Sequence, residues 1–249
     1  MTKLKGQVTS DKQENLRADI QVARCSSADS GSSGGTRHSE LFCASSNPGK
    51  LREFTEAGAL RNVTVQPRPG FAELPTCVED GKTFEENARK KAIHYSQGCT
   101  EWVFADDSGI CVDALGGAPG IYSARFAGPE ATDEENNQKL LADLHRLKAK
   151  HSHATHEDSP YGNLNRAAHY ICAIALAQAG HVLTVVEGRV DGVIIDNPRG
   201  SRGFGYDPYF FYPPLGKTLA EVDPEEKFAV SHRDAAFRKL LDYLCTRGQ

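Results

Sequence analysis

Two adjacent carboxylates, Asp106 and Asp107, are the sharpest chemical signal in the sequence. They follow an apolar run at residues 102–105, which predicts a buried strand, and Ser108 and Gly109 after them favour a turn that ends this strand. Packing alone explains the pair poorly, because a buried carboxylate needs a partner that offsets its charge. Mg²⁺ prefers carboxylate and phosphate oxygens, so the pair predicts a strand end that shares the metal ion with a polyphosphate. An Asp-rich turn that faces solvent explains the tetrapeptide equally well.

A second signal is a helix that begins with a lysine in its first turn. Asn47 is a suitable N-cap and Pro48 suits the first helical position, which places Lys50 within that turn. Free backbone N–H groups, the positive end of the helix dipole and the ammonium group together favour a bound anion. The spacing of a Walker A phosphate loop is absent. An ordinary capped helix whose lysine faces solvent is the alternative.

A third signal lies at the start of the last predicted helix. Ser231 and Asp234 form a capping box, so His232 and Arg233 fall in the first helical turn. Cations at this position oppose the helix dipole at a cost of ~0.3–1 kcal/mol. We therefore expect an anionic or polar ligand to contact them.

A glycine-rich loop at residues 200–208 supplies an aromatic side chain. Its glycines permit close approach of the backbone to a ligand, and Phe204 can stack on a nucleobase. A hairpin loop that anchors an aromatic side chain in the core is the alternative.

The elements that must position these residues alternate between strands and helices. They interleave along the chain and include one antiparallel hairpin, which predicts an α/β domain with a mixed sheet. The main predicted elements are a strand at 41–44, helices opened by capping boxes at Thr83 and Thr132, and the hairpin at 170–177 and 182–190.

The composition excludes several classes of protein. The chain has 29 basic and 33 acidic residues and a net charge of -4, which argues against a nucleic-acid partner because duplex binding needs a broad basic face. No run approaches the ~20 apolar residues of a membrane span, so no membrane partner is expected. Seven cysteines without a C-x-x-C pair indicate a reducing, cytoplasmic compartment.

Together and in this order, the motifs resemble the inosine triphosphate pyrophosphatase family, whose members remove nonstandard purine nucleotides from nucleotide pools. The resemblance implies an elongated, two-lobed mixed α/β fold with a central substrate cleft, Mg²⁺ as the cofactor and usually a homodimer. The implied reaction is hydrolysis of ITP, dITP or XTP to the monophosphate and pyrophosphate, and a pyrophosphatase of different or broader base specificity is the alternative. The motifs are Ser45-x-Asn47-x-x-Lys50, Thr83-Phe84-Glu85-Glu86-Asn87-Ala88, residues 105–125, residues 203–208, and Glu226-Lys227 with Ser231-His232-Arg233.

The resemblance also implies a role for each matching residue. Asp107 would be the catalytic base and a metal ligand, with Ser108 beside the substrate. Glu79 would be the second acidic metal ligand, and Asp80 is the alternative. The triphosphate would be bound by Ser45, Ser46, Asn47, Pro48, Gly49 and Lys50, and the nucleotide pocket would be formed by Phe204, Gly205, Tyr206, Asp207, Lys227, His232 and Arg233.

Two segments have no counterpart in the motifs. Residues 1–38 lack apolar periodicity and are rich in Ser and Gly, so we expect a disordered N-terminal extension. Residues 150–166 are polar and rich in His, which predicts a surface insertion. The pyrophosphatase domain is therefore predicted to span residues 39–249 with this insertion inside it.

Overall fold

The computed structural model describes residues 40–151 and 166–247, and this part of the chain contains one mixed sheet of seven strands. The strands are β1 (Glu40–Cys43), β2 (Thr64–Pro67), β3 (Val103–Val112), β4 (Ala167–Gln178), β5 (His181–Ile194), β6 (Phe210–Tyr212) and β7 (Lys217–Thr218). The helices are α1 (Pro48–Ala59), α2 (Phe84–Ser96), α3 (Asp133–His151), α4 (Pro224–Ala229) and α5 (His232–Arg247), with short 3₁₀ segments at Phe71–Glu73, Asp113–Leu115 and Gly120–Arg125.

The strands lie in the order β2-β1-β3-β4-β5-β6-β7. The pairs β1–β2 and β1–β3 are parallel, and every later neighbouring pair is antiparallel. The long strands β4 and β5 form the predicted hairpin. The predicted α/β fold with a mixed sheet is therefore confirmed.

The predicted end of the strand before Asp106 is wrong, because β3 continues through both carboxylates to Val112. Asp106 pairs with Ile174 and Asp107 with Ala173 in a continuous antiparallel ladder with β4. Ten residues of β3 take part in this pairing, and it overrides the local turn preference of the Asp-Asp-Ser-Gly sequence. Both carboxylates are buried in the strand, so the solvent-facing turn is excluded as well.

Helices cover both faces of the sheet. Alternate residues of β1 show this, since Leu41 belongs to a core with Phe54 of α1 and Phe237 of α5, whereas Phe42 packs in a core with Ala88 of α2. A further core lies toward the other end of β3. Its members include Ile110, Val112, Leu140, Leu144, Tyr206 and Phe210. The long strands therefore connect separate groups of packed side chains, with the carboxylates between them.

The predicted helix starts are confirmed by their hydrogen bonds. The Asn47 side chain accepts a bond from the backbone N–H of Lys50 at 3.0 Å. The hydroxyls of Thr83, Thr132 and Ser231 each accept a bond from the N–H three residues later. These caps fix the first residues of α1 and α5. Both helices carry candidate site residues in their first turns.

Several predicted segments fall partly or wholly outside the described residues. The extension at residues 1–38 lies outside them, as do residues 152–165 of the predicted insertion. Within the described part, α3 continues to His151, and Arg166 is buried with its guanidinium bonded to Asp196 at 2.6 Å. A search of the described helices found none that is both long and apolar enough to cross a membrane.

Candidate active site

The carboxylates lie where β3 extends beyond its short neighbour. β1 contacts β3 through only Phe42–Val103 and Cys43–Phe104, after which the chain leaves the sheet to begin α1. Among the described residues, no strand pairs with Asp106, Asp107 or Ser108 on this side of β3. The carboxyl end of β1 and the first turn of α1 therefore border the carboxylates, which is where α/β sheets commonly bind ligands.

Asp106 points to the face of the sheet covered by α1 and α5. Its Oδ2 lies 2.8 Å from Lys50 Nζ, while Oδ1 has no hydrogen-bond partner among the described residues. Burial alone would raise the pKa of Asp106, but the positive charges of Lys50, Arg233 and Lys91 outweigh it and the net shift is downward. Asp106 is therefore a fixed anion that holds the Lys50 ammonium beside the start of α1.

Asp107 points to the opposite face, which α2 covers. Its Oδ2 accepts a hydrogen bond from Asn87 Nδ2 at 3.0 Å, and its Oδ1 lies 3.5 Å from Lys91 Nζ. Burial raises the pKa of Asp107, and the charges of Lys91 and Lys50 offset this only in part. A raised pKa makes this carboxylate a better proton acceptor than an ordinary surface aspartate.

Glu79 and Asp107 approach the same ammonium group. Glu79 Oε2 lies 2.8 Å from Lys91 Nζ, so this cation sits between the two carboxylates. Asp80 points elsewhere and forms an ion pair with Lys90 at the surface. Glu79, and not Asp80, therefore shares the Lys91 ammonium with Asp107.

A second network of buried charges joins α1, α4 and α5. The two oxygens of Glu53 accept from Lys227 Nζ at 3.0 Å and from Arg233 Nη1 at 2.7 Å. Lys227 also contacts Asp207 Oδ2 at 2.7 Å, and Arg233 Nη2 donates to Ser108 Oγ at 3.0 Å. The network holds the cationic side chains in fixed positions and links them to β3.

Phe204 presents its ring beside this second network. The Lys227 ammonium and the Arg233 guanidinium lie 5.2 and 5.1 Å from the ring centroid. Gly49 allows this arrangement, because a Cβ there would meet the Phe204 ring at 2.9 Å. The backbone N–H of Phe204 donates to Asp207 Oδ2 at 3.0 Å, which fixes the loop that carries the ring.

The first turns of α3 hold the same loop from its other side. Asp133 accepts from the N–H of Gly205 at 2.7 Å, and Asn137 donates to the Gly205 carbonyl at 3.0 Å. The hydroxyl of Tyr206 donates to the Ser123 carbonyl at 2.8 Å. Gly205 and Tyr206 therefore anchor the loop, and Phe204 is the member of it that presents an aromatic face to the network.

His232 is buried against an aromatic ring. Its imidazole stacks on Tyr170 with 4.7 Å between ring centroids and an angle of 9° between planes. Neither ring nitrogen has a hydrogen-bond partner among the described residues, and burial lowers the pKa of His232 far below its ordinary value. His232 is therefore a neutral, held imidazole that retains hydrogen-bonding capacity.

An open pocket of about 370 Å³ lies between α1 and the loop of Phe204. We call it the base pocket, after the nucleobase that we propose below as its ligand. It is lined by Gly49, Arg52, Glu53, Glu56, Arg202, Gly203, Phe204, Val222 and Lys227.

Most residues predicted from the sequence gather around this pocket and the carboxylates. In the loop before α1, Ser45 is half-buried and accepts from the N–H of Asn47, Ser46 and Pro48 are exposed, and Gly49 is buried against Phe204. Sequence reasoning missed Glu53 and Lys91, and it assigned no role to Asn87, which lies in the Thr83 motif. A signal for Lys91 was present, because it falls on the buried stripe of α2 that Ala88, Ala92 and Tyr95 define.

This chain is similar to known proteins of one family. The Ham1 family matches residues 41–243, so the chain belongs to this family. A protein of Geobacillus kaustophilus named dITP/XTP pyrophosphatase is 44% identical over 81% of this chain and 92% of its own length. One of Gloeobacter violaceus with the same name is 46% identical over 84% of this chain and 95% of its own.

Solved structures give the same assignment. The HAM1 protein of Coxiella burnetii superposes with a TM-score of 0.69 at 38% identity and covers 83% of this chain and 98% of its own. The Staphylococcus aureus Ham1 protein also has a TM-score of 0.69, at 36% identity over 84% of this chain and 99% of its own. The predicted family is therefore confirmed.

Proposed function

We propose that this chain hydrolyses ITP, dITP and XTP to the nucleoside monophosphate and pyrophosphate, with Mg²⁺ as the cofactor. The observation that carries the proposal is the arrangement around β3. Asp106 and Asp107 lie on opposite faces of one strand, each beside a lysine from a different helix, and the aromatic base pocket adjoins them. Cations for a polyphosphate, acids for a metal ion and a ring for a base therefore share one site.

The acidic residues fit a hard divalent cation. Glu79 and Asp107 already place carboxylate oxygens around one positive charge, that of Lys91. Within the described residues, no group of three or more His, Cys, Asp or Glu side chains could hold a metal ion. Mg²⁺ commonly takes one or two carboxylates and completes its coordination with water and substrate phosphates, so Glu79 and Asp107 suffice. When bound, the ion offsets charge on the pyrophosphate leaving group.

The triphosphate would lie against the start of α1. The loop from Ser45 to Lys50 supplies helix N-terminal N–H groups and an ammonium, which together favour phosphate oxygens. Lys50 and Lys91 are each held by a carboxylate of β3, so both charges are positioned before the substrate arrives. Held cations lose less entropy on binding than free surface lysines do.

Asp107 is the residue we propose as the base for the attacking water. Its Oδ2 is held by Asn87, and Oδ1 faces Lys91 and the Glu79 side chain. Attack of the oriented water on the α-phosphorus breaks the bond to the β-phosphate oxygen and releases pyrophosphate, and the proton passes to Asp107.

Base selection would follow from the donors beside Phe204. Hypoxanthine and xanthine present an acceptor oxygen at position 6, whereas adenine presents an amino donor. The Lys227 ammonium and the Arg233 guanidinium are donors only, so they pair with the first two bases and oppose adenine. A well-placed bidentate contact discriminates by ~1–3 kcal/mol, or roughly tenfold to a hundredfold. Equal cleavage of ATP and ITP at low substrate concentration would contradict this explanation.

Product identification tests the function directly. The full chain is incubated with ITP and Mg²⁺, and the products are separated by anion-exchange chromatography. We expect IMP and pyrophosphate in equal amounts. Formation of IDP and phosphate would mean that a different bond is cleaved and would overturn the proposal.

The setting of the enzyme is also part of the proposal. We propose a cytoplasmic homodimer that acts on free nucleotides, with neither nucleic acid nor membrane as a partner. All the cysteines within the described residues are free thiols, which suits a reducing compartment. The homodimer rests on the family resemblance, and sedimentation equilibrium of the full chain tests it.

A further inference from the structure

The rim of the base pocket carries charged side chains that the reaction described above does not use. Arg52 lines the pocket from α1, and Arg202 lines it from the glycine-rich loop that precedes Phe204. Both side chains are exposed at the rim, whereas Lys227 and Phe204 lie deeper. The rim therefore offers a second set of contacts to a base that stacks on Phe204.

The guanidinium groups at the rim retain N–H donors that form no hydrogen bond within the described residues. Arg202 forms an ion pair with Asp223 through Nη1, and its backbone N–H donates to the Ala220 carbonyl, which fixes its place in the loop. For Arg52, no acidic group lies within ion-pair distance among the described residues. Because a guanidinium has five N–H donors and no acceptor, each can still donate to a ligand.

The carboxylates that lie deeper in the site already accept hydrogen bonds from protein groups. Both oxygens of Glu53 accept from Lys227 and Arg233, and Asp207 Oδ2 accepts from Lys227 and Phe204. Two carboxylates lie near the rim: Glu56, one turn after Arg52 on α1, and Asp223, which is paired with Arg202. The rim therefore presents two guanidinium groups against one carboxylate, that of Glu56, which forms no ion pair among the described residues.

The excess of donors over acceptors at the rim matters most at position 2 of the purine. Hypoxanthine carries only hydrogen there, xanthine carries a carbonyl oxygen, and guanine carries an amino group. Xanthine also loses a ring proton more readily than hypoxanthine and so gains negative charge. The rim guanidinium groups donate to the xanthine oxygen, whereas they offer no acceptor to the guanine amino group.

We propose that Arg52 and Arg202 read position 2 of the purine, so that the enzyme favours XTP over ITP and rejects GTP. The inference rests on the proposed function and adds to it. Lys227 and Arg233 select the acceptor at position 6, and the rim arginines distinguish among the bases that share it. The exclusion of guanine, which also has an oxygen at position 6, then has a physical cause.

The test is the ratio of kcat/KM values for XTP, ITP and GTP. Arg52→Ala, Arg202→Ala and the double variant are compared with the wild-type full chain. We expect the XTP:ITP ratio to fall about five- to tenfold in each single variant, as for the loss of one charged hydrogen bond at an exposed site. The GTP:ITP ratio should rise at the same time. Glu56→Gln should lower the GTP:ITP ratio, because it removes the opposing carboxylate.

Matched control variants distinguish the loss of base recognition from changes in net charge or folding. Asp223→Asn breaks the ion pair of Arg202 but keeps the guanidinium, so its XTP:ITP ratio should stay at or above the wild-type ratio. Arg89→Ala removes an exposed arginine of α2 that pairs with Glu85, and it controls for the loss of net charge. Hydrolysis of ITP reports folding in every variant, since position 2 of hypoxanthine carries no group to read.

An XTP:ITP ratio in the double variant within about twofold of wild type, with ITP hydrolysis retained, would overturn the inference. An equal loss of both substrates would overturn it too, because the arginines would then act on the shared part of the nucleotide. Wild-type protein that releases no pyrophosphate from any nucleotide would instead overturn the proposed function on which the inference rests.

Discussion

The two faces of β3 hold adjacent carboxylates whose pKa values are shifted in opposite directions. On the face of α1 and α5, Asp106 is 2% exposed and 2.8 Å from Lys50 Nζ, and the surrounding cations lower its pKa. On the face of α2, Asp107 is 3.5 Å from Lys91 Nζ, and burial raises its pKa. Environments that push two pKa values apart assign different roles to chemically identical groups.

The contrast extends to the surrounding side chains. The network of Glu53, Lys227 and Arg233 is at most 14% exposed and joined at 2.7–3.0 Å, so its side chains are preorganised for the base that we propose they contact. Around Asp107 the contact to Lys91 is longer, and the Glu79 side chain is 37% exposed. The base side of the site is therefore tightly preorganised, whereas the acids that we propose for the metal are held less tightly.

The largest expected effect comes from neutralising the carboxylate on the α2 face. Asp107→Asn should lower kcat for ITP by about 10²- to 10⁴-fold at saturating Mg²⁺, because the water loses its base. Pyrophosphate release measures this, and an unchanged circular dichroism spectrum shows that the variant folds. A kcat close to wild type would show that Asp107 is not the base.

The network beside Phe204 is tested by removing the negative charge of Glu53, which Lys227 and Arg233 share. Glu53→Gln should lower kcat/KM for ITP about 30-fold, because Lys227 and Arg233 lose the charge that positions them, a cost of ~2 kcal/mol. Glu85→Gln, an exposed acid of α2, is the matched control and should leave kcat/KM unchanged. Equal values for the two variants would contradict the preorganised network.

The opposite pKa shifts predict opposite effects on stability. Asp106, whose pKa is lowered on folding, stabilises the fold above its ordinary pKa and loses this contribution as the pH falls through the lowered value. Asp107, whose pKa is raised, contributes below its ordinary pKa and loses that contribution as the pH rises through the raised value.

At pH 7, therefore, Asp106→Asn should lower the free energy of unfolding by ~2 kcal/mol, because the partly exposed Lys50 loses its charged hydrogen-bond partner. Asp107→Asn should leave the free energy of unfolding unchanged or increase it. Urea denaturation of both variants checks the signs. Equal destabilisation by the two changes would remove the distinction between the faces.

A smaller effect distinguishes Glu79 from its neighbour. Glu79→Gln should raise the Mg²⁺ concentration for half-maximal activity about tenfold, as for the loss of one metal ligand or its support. Asp80→Asn should leave this concentration unchanged, because Asp80 pairs with Lys90 at the surface. The reverse outcome would assign the metal to Asp80.

Short-range patterns in the sequence predicted much of the fold. The caps at Asn47, Thr83, Thr132 and Ser231 depend on residues three positions apart, and the structure has each of them. The hairpin of β4 and β5 was also predictable, because its alternating apolar residues flank a turn at Gly180.

Long-range pairing explains where prediction failed. The extension of β3 through Asp106 and Asp107 depends on β4, more than sixty residues later in the chain. The local sequence indicated a turn, and nothing nearby in the chain showed the pairing that overrides it. A buried strand could hold these carboxylates only because α1 and α2 bring Lys50 and Lys91 to its two faces.

The same reason applies to the missed residues of the site. Glu53 lies on α1 between residues of ordinary helical sequence, and only the fold brings it to Lys227 and Arg233. The motifs therefore indicated the residues that we propose contact the substrate, whereas the side chains that hold those residues in place became visible only with the structure.

Hydrolysis of ITP in ¹⁸O-labelled water with Mg²⁺ tests the central claim most directly. If a water oriented by Asp107 attacks the α-phosphorus, mass spectrometry will find one ¹⁸O atom in IMP and none in pyrophosphate. Label in the pyrophosphate would place the attack on the β-phosphorus and would contradict the proposed arrangement of carboxylates, cation and triphosphate.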